Sequence, residues 1–140
     1  MSRRRRRRAV SDERYERGLE RFSEVDGKGG EKAVEALEGL VPELKRYLVE
    51  FPFGDIYSRP GLDTRTRELV AVGALTAMGG ADPQLRVHIH AALNNGASRQ
   101  EVIEAVLQMS VYAGFPRAIN GLYTVRDIFE KRDAAIGDGE

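Results

Sequence analysis

The stretch RTRELVAVGALTAMGGADPQLRVHIHAALNNG, residues 65–96, decides the fold, because stop signals cut its apolar content into two helices. Asp63 or Thr64 caps the first helix, and Gly79-Gly80 ends it. From Leu69 to Ala77 its residues are apolar or small on all sides, which places such a helix centrally in a core or between subunits. Asp82-Pro83 opens the second helix as cap and first-turn proline, and Asn94-Asn95-Gly96 closes it. Leu85, Ile89, Ala92 and Leu93 form its core stripe, while Val87 points roughly opposite. His88 and His90 are the chain's only histidines, and histidine is the side chain best suited to moving protons near neutral pH.

Working outward, most of the chain carries helical spacing and little carries the alternation of strands. Ser98-Arg99-Gln100-Glu101 is a capping box, starting a helix with Val102, Ile103, Val106, Leu107 and Met109 to Tyr112. Gly114 and Pro116 end that helix and begin another, with Ile119, Leu122, Tyr123 and Phe129 facing inward. Upstream, Ser11 is expected to cap a helix carrying Tyr15, Leu19 and Phe22, which Asp26-Gly27-Lys28-Gly29-Gly30 breaks. A further helical region runs from Glu31 with Ala33, Val34 and Leu37 on one side. Past Pro42 it buries Leu44, Tyr47, Leu48 and Phe51. Phe51 to Gly61 reads as a long connection whose aromatic content packs onto a neighbour.

The expected fold is all-α: a single-domain bundle of about six helices over residues 11–135. A disordered basic tail is expected over 1–10 and a frayed end over 136–140. The net charge of zero conceals an asymmetry. Arg3 to Arg8 hold six of the 22 basic groups, leaving 16 against 22 acidic ones, or −6. A folded body of that sign is no match for nucleic acid. No apolar stretch approaches the roughly 20 residues of a membrane span, and the basic start is not followed by the apolar core of a secretory signal, so a cytoplasmic protein with no membrane partner is expected. There is no cysteine, which removes disulfides, thiolate metal sites and thiol nucleophiles together. The all-round apolar helix and Val87 leave more apolar surface than one core can hide, so a homo-oligomer is expected.

Arg65 to Val70 with the following apolar helix, His88 to Gly96, Glu101 to Glu104 and Tyr112 to Pro116 together resemble the carboxymuconolactone decarboxylase family, and Tyr57 to Leu62 also fits. The resemblance spans roughly Leu40 to Lys131, about two thirds of the chain. It implies an all-helical fold shared with alkylhydroperoxidase-D-type proteins, assembled as trimers or hexamers. Of the family's two chemistries, the peroxidase branch uses a Glu, a Cys-x-x-Cys pair and a His. Glu68 and His88 match the Glu and the His, but the cysteine positions fall near Gly80 and Pro83, so thiol peroxidase activity is excluded.

The other branch implies decarboxylation of 4-carboxymuconolactone to 3-oxoadipate enol-lactone in protocatechuate catabolism. The substrate's own lactone takes up the electron pair, so neither an organic cofactor nor a metal is expected. For that reaction His88 is the first choice as proton donor, with Glu68 orienting or protonating it. Arg59, Arg65 and Arg86 are candidates to hold substrate carboxylates. Tyr57 and Tyr112 are candidate hydroxyl donors to the developing enolate, and His90 a candidate substrate contact. The two histidines stand about 200° apart on a helix, which argues against a shared metal ion. Each residue also has a plainer reading as a packing, capping or solvated group. A hydrolase or isomerase of another cyclic acid, or a non-catalytic oligomeric ligand-binding protein, stay open as alternatives.

Overall fold

Seven α-helices and one π-helical segment make up the secondary structure among the described residues, with no strand. In this computed structural model those residues are 2–25 and 27–139, Gly27 and Lys28 being described by their backbone alone. The all-α class expected from the spacing is therefore what the chain adopts. The chain divides into two compact units that meet in sequence between Leu62 and Asp63.

The first unit holds α1 (Arg3–Val25), α2 (Gly27–Glu35), α3 (Leu44–Leu48) and the π-helical segment Val49–Ile56. The arginine run, expected as a disordered tail, forms the first turns of α1 with every side chain exposed. Arginine is a good helix former, and like-charge pairs on an exposed helix cost only a few tenths of a kcal/mol each. Ser11 accordingly caps nothing. It lies inside α1, where its hydroxyl accepts from Arg46 Nη2 at 2.6 Å. The glycines 27, 29 and 30, expected as a break, start α2, while Asp26 lies outside the described residues.

Phe51 to Ile56, expected as irregular connection, completes the π-helical segment, with Pro52 inside it. Phe53 is buried there against Phe22, ring centroids 5.1 Å apart, whereas Tyr47 and Phe51, expected inside, are exposed. Gly18 makes the contact with α1 possible, since a Cβ there would fall on the Val49 carbonyl.

The second unit holds α4 (Thr64–Met78), α5 (Asp82–Asn94), α6 (Arg99–Tyr112) and α7 (Phe115–Gly137). Its local signals act as the sequence predicts. Asp63 accepts from the Thr66 amide at 2.7 Å, and the Ser98–Glu101 box closes in both directions. Gly79, at φ 65°, caps α4 in a conformation that favours glycine. Asp82 departs from its expected cap role: Ala81 holds the cap position and the carboxylate turns to Thr124 Oγ1 and Arg86 Nε.

The core joins Val72, Leu85, Ile89, Ala92, Val102, Val106, Val125 and Ile128, each such side chain stabilising the fold by about 1.5–3 kcal/mol when larger than alanine. On α7 the inward stripe is Ala118, Gly121, Thr124, Val125 and Ile128, not the expected Ile119 and Tyr123, which are exposed. Close approach decides the phase. A Cβ on Gly121 would come within 2.8 Å of Val106 and 2.9 Å of Thr76, so only small residues fit the crossing. The larger apolar residues are turned out, and with Val111, Tyr112 and Phe115 they leave apolar side chains exposed around the α6–α7 corner.

Candidate functional site

The hairpin of α4 and α5 turns at Gly79-Gly80, so the two helices face one another. Glu68 and His88 meet across it. His88 Nδ1 lies 2.7 Å from Glu68 Oε2. Glu68 is fully buried, while the His88 side chain retains 21% exposure. A carboxylate can only accept, so the imidazole donates from Nδ1. Among the described residues, Glu68 Oε1 is buried with no hydrogen-bond partner, an uncommon state for an interior oxygen.

His90 is built differently. Its Nδ1 accepts from Arg132 Nη1 at 2.9 Å, and Arg132 Nη2 also donates to Asn94 Oδ1 at 3.1 Å. Partial burial, then the charges of Arg132 and Arg86, hold its pKa below the usual histidine value. Since 200° separates it from His88 on the helix, it belongs to the face toward α7 rather than to the Glu68 pair.

The candidate carboxylate anchors are placed unevenly. Arg86 Nη1 is ion-paired to Asp127 and its Nε lies 3.1 Å from Asp82, so its fork is occupied within the chain. Both acids are thereby held below the usual carboxylate range, Asp82 chiefly by the Thr124 hydroxyl and Asp127 chiefly by Arg86. Arg65 is ion-paired to Glu101. Arg65 and Arg86, expected as substrate anchors, thus each meet acids within the chain; Asp82 is at i,i+4 spacing from Arg86, while Glu101 and Asp127 come from other helices. Arg59 and Tyr57 belong to the first unit, where the Tyr57 ring packs on Phe53 at 5.1 Å. Tyr112, at the end of α6, is 80% exposed and does not line a core. Thus the structure brings His88 and Glu68 into hydrogen-bond contact, while His90, Arg65 and Arg86 are bonded to other partners and Tyr112 is exposed. Among the described residues no group of three His, Asp or Glu is placed to hold a metal ion.

A cavity of about 280 Å³ opens at the α4–α5 turn, between Leu75, Gly79, Gly80, Leu85, Arg117 and Asn120; His88 and Glu68 do not line it. Sequence reading missed Arg117 and Asn120. Their i, i+3 spacing just after Gly114-Phe115-Pro116 is the signal that would have found them.

Comparison with known proteins adds the following. The sequence profile of the carboxymuconolactone decarboxylase family matches residues 42–126. The 4-carboxymuconolactone decarboxylase of Acinetobacter baylyi is 35% identical over 120 residues, which cover 85% of this chain and 89% of that protein. A nitrosuccinic acid decarboxylase of Metarhizium robertsii is 31% identical over 132 residues, covering 88% and 92%. An uncharacterized 15.0 kDa protein of Paracoccus denitrificans is 37% identical over 99 residues, covering 70% and 74%.

Proposed function

The chain belongs to the carboxymuconolactone decarboxylase family, and from that premise we propose that it is a cofactor-independent carboxy-lyase acting on a small lactone carboxylate, 4-carboxymuconolactone being the first substrate to test. The observation that carries this reading is the buried Glu68 bonded to the partly exposed His88. In the reaction the bond from the ring carbon to the carboxylate breaks and CO2 leaves. The electron pair spreads through the ring double bond to the lactone carbonyl. His88 then delivers a proton from Nε2 to carbon, giving the enol-lactone, and Glu68 holds the ring at its other nitrogen.

The nitrosuccinic acid decarboxylase supports the same logic from a different substrate, because a nitro group beside the leaving carboxylate is likewise an internal electron sink. Arg65 and Arg86 are engaged by acids within the chain, so a substrate carboxylate would have to compete with Glu101, Asp82 and Asp127 for them. The exposed apolar side chains at the α6–α7 corner support assembly of several copies, as a trimer or hexamer.

The test is direct. Purified protein mixed with 4-carboxymuconolactone should release one CO2 per substrate consumed, and His88→Ala should lower kcat by at least about a hundredfold with helicity unchanged. 2-Nitrosuccinate serves as the second substrate. If folded protein leaves both compounds intact over hours, the proposal fails.

A further inference from the structure

The cavity at the α4–α5 turn has a chemical character of its own. Its apolar wall comes from Leu75, Ala81 and Leu85, and the backbone of Gly79 and Gly80 borders it without side chains. Its polar end comes from α7, where Arg117 and Asn120 stand three residues apart on one helix face. Arg117 is seated over the turn: a Cβ on Gly79 would overlap its guanidinium, so the absence of that carbon makes room for the group. Gly79 itself sits at φ 65°, so the backbone of the turn independently favours glycine there.

Charge accounting fixes the sign. Arg14, Arg46, Arg65, Arg86 and Arg99 each meet an acid within 4.0 Å, whereas no acid stands within that distance of Arg117 among the described residues. The one acid lining the cavity, Asp82, is already engaged. Its Oδ1 accepts from Thr124 Oγ1 at 2.5 Å, and its Oδ2 from Arg86 Nε at 3.1 Å. What faces the cavity unmatched is a planar cation and an amide beside an apolar wall.

We propose that this cavity is a binding site for a small monocarboxylate with a short apolar body, Arg117 gripping the carboxylate with Asn120 as second donor while Leu75 and Leu85 cover the hydrocarbon. A guanidinium fork matches two carboxylate oxygens, and a volume of about 280 Å³ suits a ligand of only a few carbons. The cavity is distinct from the Glu68–His88 pair, neither of which lines it: Thr76 is eight residues along α4 from Glu68, about 12 Å of helix, although Leu85 is one turn of α5 from His88. It stands whether or not the chain decarboxylates anything.

Pentanoate is the probe and pentanamide its uncharged control, followed by amide NMR shifts in the full chain. Pentanoate should shift Gly79, Gly80 and the Asn120 side-chain amide saturably. Arg117→Gln should weaken it by about tenfold or more, with Arg117→Lys intermediate. Asn120→Ala should weaken it less, and His88→Ala should bind pentanoate as the parent does. Arg117 is exposed, so these variants are expected to fold, which circular dichroism checks. Absence of saturable shifts, equal binding of pentanamide, undiminished binding by Arg117→Gln, or loss of binding in His88→Ala would each overturn the assignment.

Discussion

His88 and His90, two residues apart on α5, are held in opposite tautomers. Glu68 accepts a hydrogen from Nδ1 of the first, while Arg132 donates one to Nδ1 of the second. One ring is therefore a donor at Nδ1, and the other has Nδ1 occupied by a cation. Imidazole ¹⁵N shifts at pH 7.5 should show a protonated Nδ1 in His88 and a bare Nδ1 in His90. The same pattern in both rings would contradict the geometry.

Glu68→Gln keeps an oxygen for the His88 Nδ1 hydrogen but removes the negative charge behind it. On the proposed chemistry kcat should fall by about ten- to a hundredfold, and the pH–rate profile should move, while the protein still folds. A substitution that left kcat and the profile intact would reduce Glu68 to a packing role.

The lowered pKa of His90 sets a pH dependence of stability. Its neutral form is favoured in the fold, so its contribution is whole above the unfolded value of about 6.5 and is lost as pH falls through the lower folded value. Urea titrations from pH 7.5 to 5 should show stability falling in that window. In His90→Gln the slope should be shallower, because that proton is no longer taken up on unfolding. An unaltered slope would assign the effect to another group.

Arg86→Ala tests whether this arginine holds substrate or only the helices. With its fork on Asp82 and Asp127, both partly exposed, the substitution should leave KM within about twofold and cost less than about 1 kcal/mol of stability. A tenfold rise in KM would return Arg86 to the substrate site.

Ser98→Ala removes the acceptor for the Glu101 amide at the start of α6 and should cost about 1 kcal/mol, read as a shift in the urea midpoint at constant slope.

What the sequence made legible was local punctuation. Asp63, Gly79, Ser98 with Glu101, and Gly96 each act within one turn of where they stand, so their meaning does not wait for tertiary contacts. The helix phases were harder. Ile119 and Tyr123 are the larger apolar residues of α7, yet the stripe of Ala118 and Gly121 faces in, because a tight crossing rewards small size over hydrophobicity. The π-helical path through Pro52 gave no periodic signal, since its apolar residues follow neither the strand nor the α-helix repeat.

At the site, the Gly79-Gly80 turn made it legible that Glu68 and His88 lie on facing helices, but their unequal distances from it, eleven and eight residues, left the contact itself to the structure. Of the acids on Arg65 and Arg86, Asp82 is legible at i,i+4, but Glu101 and Asp127 lie 36 and 41 residues away on other helices, and no count along one helix reaches them.

The sealed position of Glu68 has one more consequence. With no exposed surface and one oxygen resting on His88, its carboxyl depends on the imidazole for its one side-chain hydrogen bond. Replace that ring by an apolar side chain and both oxygens are sealed in without a donor, so the fold itself should weaken by about 1–3 kcal/mol.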